Sequence, residues 1–202
     1  MNAAEQIVDA YFRLVRGCFT LADRKVEKGA GRQLDILAYN LRDMSSYHVE
    51  VGVTHQKNWC PTVASLKGDF EKKFFGVPPN RNATDGRTDF EKKKSFWEAI
   101  NQTYEEVGFE TTKVRRVWVC WIIKDRADSS PYEYDFQSAH LESRGIDASF
   151  KIEVLSLRDY VIPRLQEKIG TANYDDVMLR TLGFMKQREL QSNVGPEPLA
   201  QF

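Results

Sequence analysis

The chain has 202 residues, and its 29 basic and 29 acidic side chains give a formal net charge of zero. Its length and its 42% hydrophobic and 29% charged residues fit a globular protein with a single core. We expect one domain over residues 1–190 and a flexible tail over residues 191–202. The zero net charge argues against a strongly basic nucleic-acid binder, so any contact with DNA requires a local basic patch.

Cysteine usage and the apolar runs indicate a cytoplasmic protein. The three cysteines are widely spaced and form no CxxC pair, which argues against a disulfide scaffold and a zinc site. The first ten residues, MNAAEQIVDA, lack the basic and apolar regions of a signal peptide. The longest apolar run, residues 117–123, is too short to cross a bilayer, and we expect Cys120 within it to pack in the core.

Apolar periodicity predicts alternating blocks of helix and strand. The predicted helices are residues 3–18, 89–107, 136–143, 158–169 and 175–187, with another helix start at Asp69; the predicted strands are residues 19–26, 33–40, 47–54, 113–124 and 151–157. Residues 127–134 are predicted to be a loop. A meander of three strands followed by crossovers predicts an α/β fold with a mixed sheet and helices on both faces.

Two acids stand in apolar surroundings on the second and third predicted strands. Asp35 lies between Leu34 and Ile36, and Glu50 lies between Val49 and Val51. Side-chain alternation and a hairpin between the two strands place both carboxylates on one face, with Asp35 opposite Glu50 to within about one residue of register. A buried carboxylate is costly unless it has a partner, and a divalent cation is a common one. A solvated hairpin with arginine partners is the alternative.

This arrangement resembles the PD-(D/E)xK nuclease superfamily, which has the restriction-endonuclease-like fold. The early helix, the strand GRQLDILAY and the strand HVEVGV carry the resemblance, which covers about the first quarter of the chain closely. It implies that Asp35 and Glu50 bind Mg²⁺ or Mn²⁺, with Glu5 on the first helix as an auxiliary acid. It also implies hydrolysis of a DNA phosphodiester by a metal-activated water, often in a homodimer.

The chain departs from the family at the lysine. The family places a lysine two residues after the glutamate, and here that residue is Gly52. Lys57 is seven residues after Glu50, about 23 Å away along an extended strand, so it can serve only if the chain turns back. A lysine from a helix is the other solution, and the candidates are Lys67, Lys72, Lys73 and residues 92–94.

Three nearby residues have both a catalytic and a structural interpretation. His48 shares a face with Glu50 and is a candidate base, although a polar strand residue is the simpler explanation. Glu5 also fits a first-turn acid favoured by the helix dipole. Trp59 is a candidate for stacking on a nucleobase or for packing.

The sequence therefore supports three hypotheses. The first is a Mg²⁺-dependent endonuclease, for example of a restriction or defence system. The second is a catalytically inactive protein of the same fold that acts as a binding or assembly subunit, which the glycine at position 52 favours. The third is an α/β interaction protein without a metal. No phosphate-binding glycine loop, nucleophile elbow or HExxH motif is present.

Overall fold

The protein folds around a mixed six-stranded sheet with helices on both faces, as expected from the sequence. The computed structural model describes residues 1–53, 60–77, 95–126, 130–146, 149–170, 172 and 174–192. The strands are β1 (Phe19–Lys25), β2 (Gln33–Asn40), β3 (Ser45–Gly52), β4 (Arg115–Cys120), β5 (Tyr132–Gln137) and β6 (Ser149–Ser156). The helices are α1 (Ala3–Leu14), α2 (Leu66–Phe74), α3 (Trp97–Glu106), α4 (Ala139–Ser143), α5 (Ile162–Ile169) and α6 (Val177–Ser192).

The strand order β1-β2-β3-β4-β6-β5 joins an antiparallel half to a parallel centre. Strands β1, β2 and β3 form an antiparallel meander, β4 lies parallel to β3, and β6 lies parallel to β4. Strand β5 closes the far edge antiparallel to β6. Because β3 lies between β2 and β4, its residues are buried along nearly the whole strand.

Helix α1 and the segment around α5 cover one face of the sheet. The side chains of Phe12 on α1 and Val161 before α5 pack against Ile36 and Val49 on the central strands. A capping box starts α1, because Asn2 accepts a hydrogen bond from the backbone N–H of Glu5 and the Glu5 carboxylate accepts one from the backbone N–H of Asn2.

Helices α2 and α3 cover the opposite face. Phe70 of α2 packs with Trp118 of β4, and Tyr104 of α3 packs with Leu37 of β2. Leu37 alternates with Ile36, so this face also carries the side chains of residues 35, 48 and 50. We call it the site face. In the described part of the chain, no helix combines the length and the hydropathy needed to cross a membrane.

The structure corrects the predicted elements at several places, since the first helix ends at Leu14 rather than at residue 18 and β4 spans Arg115–Cys120 rather than residues 113–124. Strand β5 begins at Tyr132, where a loop was predicted, and its alternating Tyr132, Tyr134 and Phe136 are a strand pattern at a sheet edge. Helix α4 therefore starts after β5, with Ser138 as its N-cap. Asp69 does not begin a helix, because α2 starts one turn earlier, at Leu66. The predicted helix start at Asp89 lies outside the described residues.

Candidate functional site

Asp35 and Glu50 converge on the site face. Strands β2 and β3 pair with Ile36 opposite Val49 and Leu37 opposite His48, and the same register places Asp35 across from Glu50. The carboxylate of Asp35 accepts a hydrogen bond from the backbone N–H of Val51 at 2.8 Å. The two carboxyl groups are close enough that, in addition to burial, the charge of Glu50 raises the pKa of Asp35. The predicted juxtaposition of the two acids is confirmed.

Lys73 of α2 reaches both carboxylates. Its Nζ atom lies 2.6 Å from Oε2 of Glu50 and 3.6 Å from Oδ2 of Asp35. The Lys73 side chain is 27% exposed, whereas that of Glu50 is 1% exposed. Lys73 therefore lies between the acid pair and the solvent. It is one of the helix lysines predicted as alternatives to a lysine at position 52.

The cluster of Asp35, Glu50 and Lys73 carries more negative than positive charge. Burial, followed by the charge of Glu50, raises the pKa of Asp35 to about 6. Burial also raises the pKa of Glu50, and the nearby Lys73 ammonium offsets this only in part. Burial alone would lower the pKa of Lys73, but the carboxylates of Glu50 and Asp35 outweigh burial and raise it. Asp35 and Glu50 together therefore hold a proton in mildly acidic solution. When both are ionised, their negative charge exceeds that of the Lys73 ammonium and can stabilise a further cation.

His48 lies beneath Glu50 rather than at the edge of a cleft. Its side chain is fully buried, with Nε2 2.8 Å from Oε1 of Glu50 and Nδ1 2.6 Å from the hydroxyl of Tyr104. Burial, with help from the charge of Arg116, lowers the pKa of His48 to about 3. Both ring nitrogens have partners, so in this structure the imidazole supports Glu50 and does not face solvent.

Arg116 lies on β4 beside His48 and brings a buried positive charge to the site. The residue is 3% exposed, and its guanidinium lies 4.4 Å from the ring centroid of Phe150 and 5.4 Å from those of Phe75 and Trp97. It donates one hydrogen bond to the carbonyl of Val114. Sequence reasoning missed Arg116 and Tyr104, because only the packing of β4 and α3 brings them to His48.

Gly52 has a structural explanation. A Cβ atom at this position would lie 2.7 Å from Cη2 of Trp118 and closer still to Cζ2, well inside van der Waals contact. The indole of Trp118 thus fills the space that a side chain at position 52 needs. A lysine cannot occupy this position while Trp118 packs as it does, and the amine reaches the acids from α2 instead.

Glu5 serves the start of its own helix. Its carboxylate oxygens accept hydrogen bonds from the backbone and the side chain of Asn2, and one lies 3.9 Å from the amino group of Met1. The capping interpretation therefore accounts for the contacts of Glu5.

In the described residues, no group of three or more histidine, cysteine, aspartate or glutamate side chains is arranged to hold a metal ion.

Arg32 is a further basic residue close to the site. Arg32 donates a hydrogen bond to the backbone carbonyl of Lys72 at 2.7 Å, and its charge acts on Glu50. Lys67 and Lys72 are exposed on α2. Other candidates from the sequence, namely Lys57, Trp59 and the lysines at 92–94, lie outside the described residues.

Comparison with known proteins yields no relative. No protein-family model, no curated protein and no solved structure matches this chain.

Proposed function

We propose that the protein is a metal-dependent nuclease that hydrolyses DNA phosphodiester bonds, with Asp35 and Glu50 as metal ligands and Lys73 as the catalytic lysine. The observation that carries this proposal is the position of Lys73, whose ammonium lies 2.6 Å from Glu50 and 3.6 Å from Asp35. Two acids from adjacent strands and one lysine are the three groups of the PD-(D/E)xK pattern. Here the lysine comes from α2.

The donor set fits Mg²⁺ or Mn²⁺. Both ions prefer oxygen ligands, and Mg²⁺ usually takes one or two carboxylates and keeps several waters. The raised pKa of Asp35, which results from burial and from the charge of Glu50, indicates that Lys73 alone does not neutralise the pair. A bound Mg²⁺ would supply charge stabilisation to a phosphodiester in the transition state.

The Lys73 ammonium has an N–H donor that its contacts with the two acids do not use. An ammonium group has three N–H donors, of which one is directed at Glu50 and a second lies near Asp35. A third donor is therefore free to orient a water molecule or to contact a phosphate oxygen. Because the side chain is 27% exposed, it lies where substrate and the buried acids meet.

The surroundings of Lys73 suit a phosphate backbone. Lys67 and Lys72 are exposed on α2, and Arg32 lies beside the start of β2. Phosphate contacts by lysine and arginine supply the sequence-independent part of DNA binding, and this part weakens as salt increases.

The antiparallel β1–β3 meander, followed by a β4 parallel to β3, adds topological support for the restriction-endonuclease-like fold.

A cleavage assay tests the proposal. Wild-type protein is incubated with supercoiled plasmid and with labelled single- and double-stranded oligonucleotides in Mg²⁺, in Mn²⁺ and in EDTA. Lys73→Met should reduce metal-dependent cleavage by at least about 100-fold, because it removes the donor at the reacting groups. Lys168→Met is the matched control, since it removes an exposed lysine from α5, on the opposite face of the sheet, and it should retain most of the activity.

The same assay distinguishes the proposed nuclease from a binding or assembly subunit of the same fold. The zero net charge and the 1% exposure of Glu50 favour a protein of this architecture that binds but does not cleave. Metal binding without cleavage of any substrate would support that binding or assembly subunit. Cleavage that Lys73→Met leaves unchanged would exclude the proposed role of this lysine.

A further inference from the structure

A buried chain of hydrogen bonds ends on the proposed metal ligand Glu50. It runs from the hydroxyl of Tyr104 to Nδ1 of His48 over 2.6 Å, and from Nε2 of His48 to Oε1 of Glu50 over 2.8 Å. Tyr104 and His48 are fully buried, and Glu50 is 1% exposed. The chain therefore lies entirely inside the protein.

The direction of each hydrogen bond follows from the chemistry of the groups. A carboxylate can only accept, so Nε2 of His48 must carry the proton that is donated to Glu50. The imidazole is neutral and has a single N–H, because the ring is fully buried and the charge of Glu50 is already paired with Lys73 at 2.6 Å. Nδ1 is then an acceptor, and the hydroxyl of Tyr104 must donate to it. The imidazole is held in one tautomer.

The ring of His48 is also fixed by packing. Phe74 of α2 contacts it edge to face at a centroid distance of 5.0 Å, and Tyr104 does so at 5.6 Å. Arg116, on the neighbouring strand β4, adds a positive charge that opposes a second proton on the ring. Packing, hydrogen bonding and charge thus select one orientation and one tautomer.

We propose that His48 and Tyr104 are positioning residues that act through Glu50, holding Oε1 so that Oε2 is presented beside Asp35 to the divalent cation. This inference rests on the proposed function, because it assumes that Glu50 is a metal ligand. A side chain needed only to fill space would be apolar, since burying polar groups has a free-energy cost that apolar groups avoid. Partners of metal-bound carboxylates orient the ligand and tune its affinity.

The first test is the tautomer in the metal-free protein. Nitrogen-15 NMR of the His48 ring should show a protonated Nε2 and an unprotonated Nδ1 in the wild type. Tyr104→Phe, which removes a single hydroxyl, should shift the Nδ1 resonance, because this nitrogen loses its donor, and should leave Nε2 protonated. An Nδ1-protonated ring in the wild type would overturn the inference, whatever the protein does with metal.

The second test is the affinity for Mn²⁺, measured by calorimetry. Tyr104→Phe should weaken binding by about 10- to 100-fold, the usual effect of removing a partner of a metal ligand. Tyr11→Phe is the matched control, because it removes another buried tyrosine hydroxyl, on the opposite face of the sheet. It should leave the affinity unchanged.

A pair of substitutions at His48 extends the test if Tyr104→Phe does not fold. His48→Gln keeps an N–H for Oε1 of Glu50 and should bind Mn²⁺ more tightly than His48→Leu, which has no donor. Equal affinities in these two variants, or an unchanged affinity in Tyr104→Phe, would overturn the positioning role while leaving the metal site intact. Failure of the wild type to bind Mn²⁺ would instead reject the proposed function.

Discussion

Replacing Lys73 with methionine tests the acid cluster through stability, without any assumption about substrate. The substitution removes the ammonium that lies 2.6 Å from Oε2 of Glu50 and 3.6 Å from Oδ2 of Asp35. It keeps a long apolar side chain, so the packing of α2 on the sheet should change little. The buried carboxylate of Glu50 then loses its cation.

The size of the effect follows from burial. Removing one partner of a buried ion pair destabilises a protein by about 3–5 kcal/mol. Because Lys73 is 27% exposed, we expect the lower end, about 3 kcal/mol near pH 8. Near pH 5 the loss should shrink to about 1 kcal/mol, the contribution of an ordinary hydrogen bond, because the carboxyl groups then take up a proton and no longer need the cation.

Urea unfolding, followed by tryptophan fluorescence near pH 5 and near pH 8, measures the effect. Lys72→Met is the control, and it should change the free energy of unfolding by less than about 0.5 kcal/mol at both pH values, since Lys72 is exposed. A Lys73→Met loss that equals that of the control, or that does not depend on pH, would refute the ion cluster of Asp35, Glu50 and Lys73.

Three further predictions concern single residues of the site. Burial and the charge of Glu50 raise the pKa of Asp35 to about 6, so protonation of Asp35 stabilises the folded protein fully below about pH 4, and this stabilisation is lost as the pH rises through 6. Urea unfolding at several pH values should show a loss of up to about 3 kcal/mol in the free energy of unfolding, and Asp35→Asn should abolish this pH dependence. Gly52→Ala should destabilise the protein by about 1–3 kcal/mol through its clash with Trp118, and a double-mutant cycle should show that Trp118→Leu relieves part of that loss. Glu5→Ala should lower the thermal stability by about 1 kcal/mol as a lost cap and leave the Mn²⁺ affinity unchanged, whereas a tenfold weaker affinity would support the auxiliary-ligand hypothesis.

Local sequence signals were sufficient for the centre of the sheet. The bounds predicted for the second strand match β2 at both ends, because a glycine turn precedes it and a polar turn follows it. Strand alternation then fixes which residues share a face, so Asp35 and Glu50 could be placed together before the register was known. Because side chains alternate along a strand with a period of two, the only other placement for each acid is the opposite face of the sheet.

The choice of lysine depends on tertiary packing and could not be made in advance. All of the helix lysines satisfy the same local pattern, and only the docking of α2 on the sheet brings Lys73 to the acids. A weak signal exists, because Lys73 is three residues after Phe70 and adjacent to Phe74, along the buried stripe of the helix. Lys67 and Lys72 lie away from that stripe and are exposed.

The glycine at position 52 shows how a motif can mislead. Comparison with the family pattern alone indicates a lost catalytic lysine. The parallel pairing of β3 with β4, which sequence does not specify, brings the indole of Trp118 into that space. The same pairing places Arg116 beside His48, which is why the environment of the histidine was also missed.

Calorimetric titration with Mg²⁺ and Mn²⁺ tests the central claim most directly. The wild-type protein should bind one ion and should release protons near pH 6, where Asp35 is partly protonated. The double variant Asp35→Asn, Glu50→Gln keeps the size of both side chains and should lose the binding. An unchanged affinity in the double variant, or no binding by the wild type at millimolar metal, would contradict the assignment of this acid pair as a metal site.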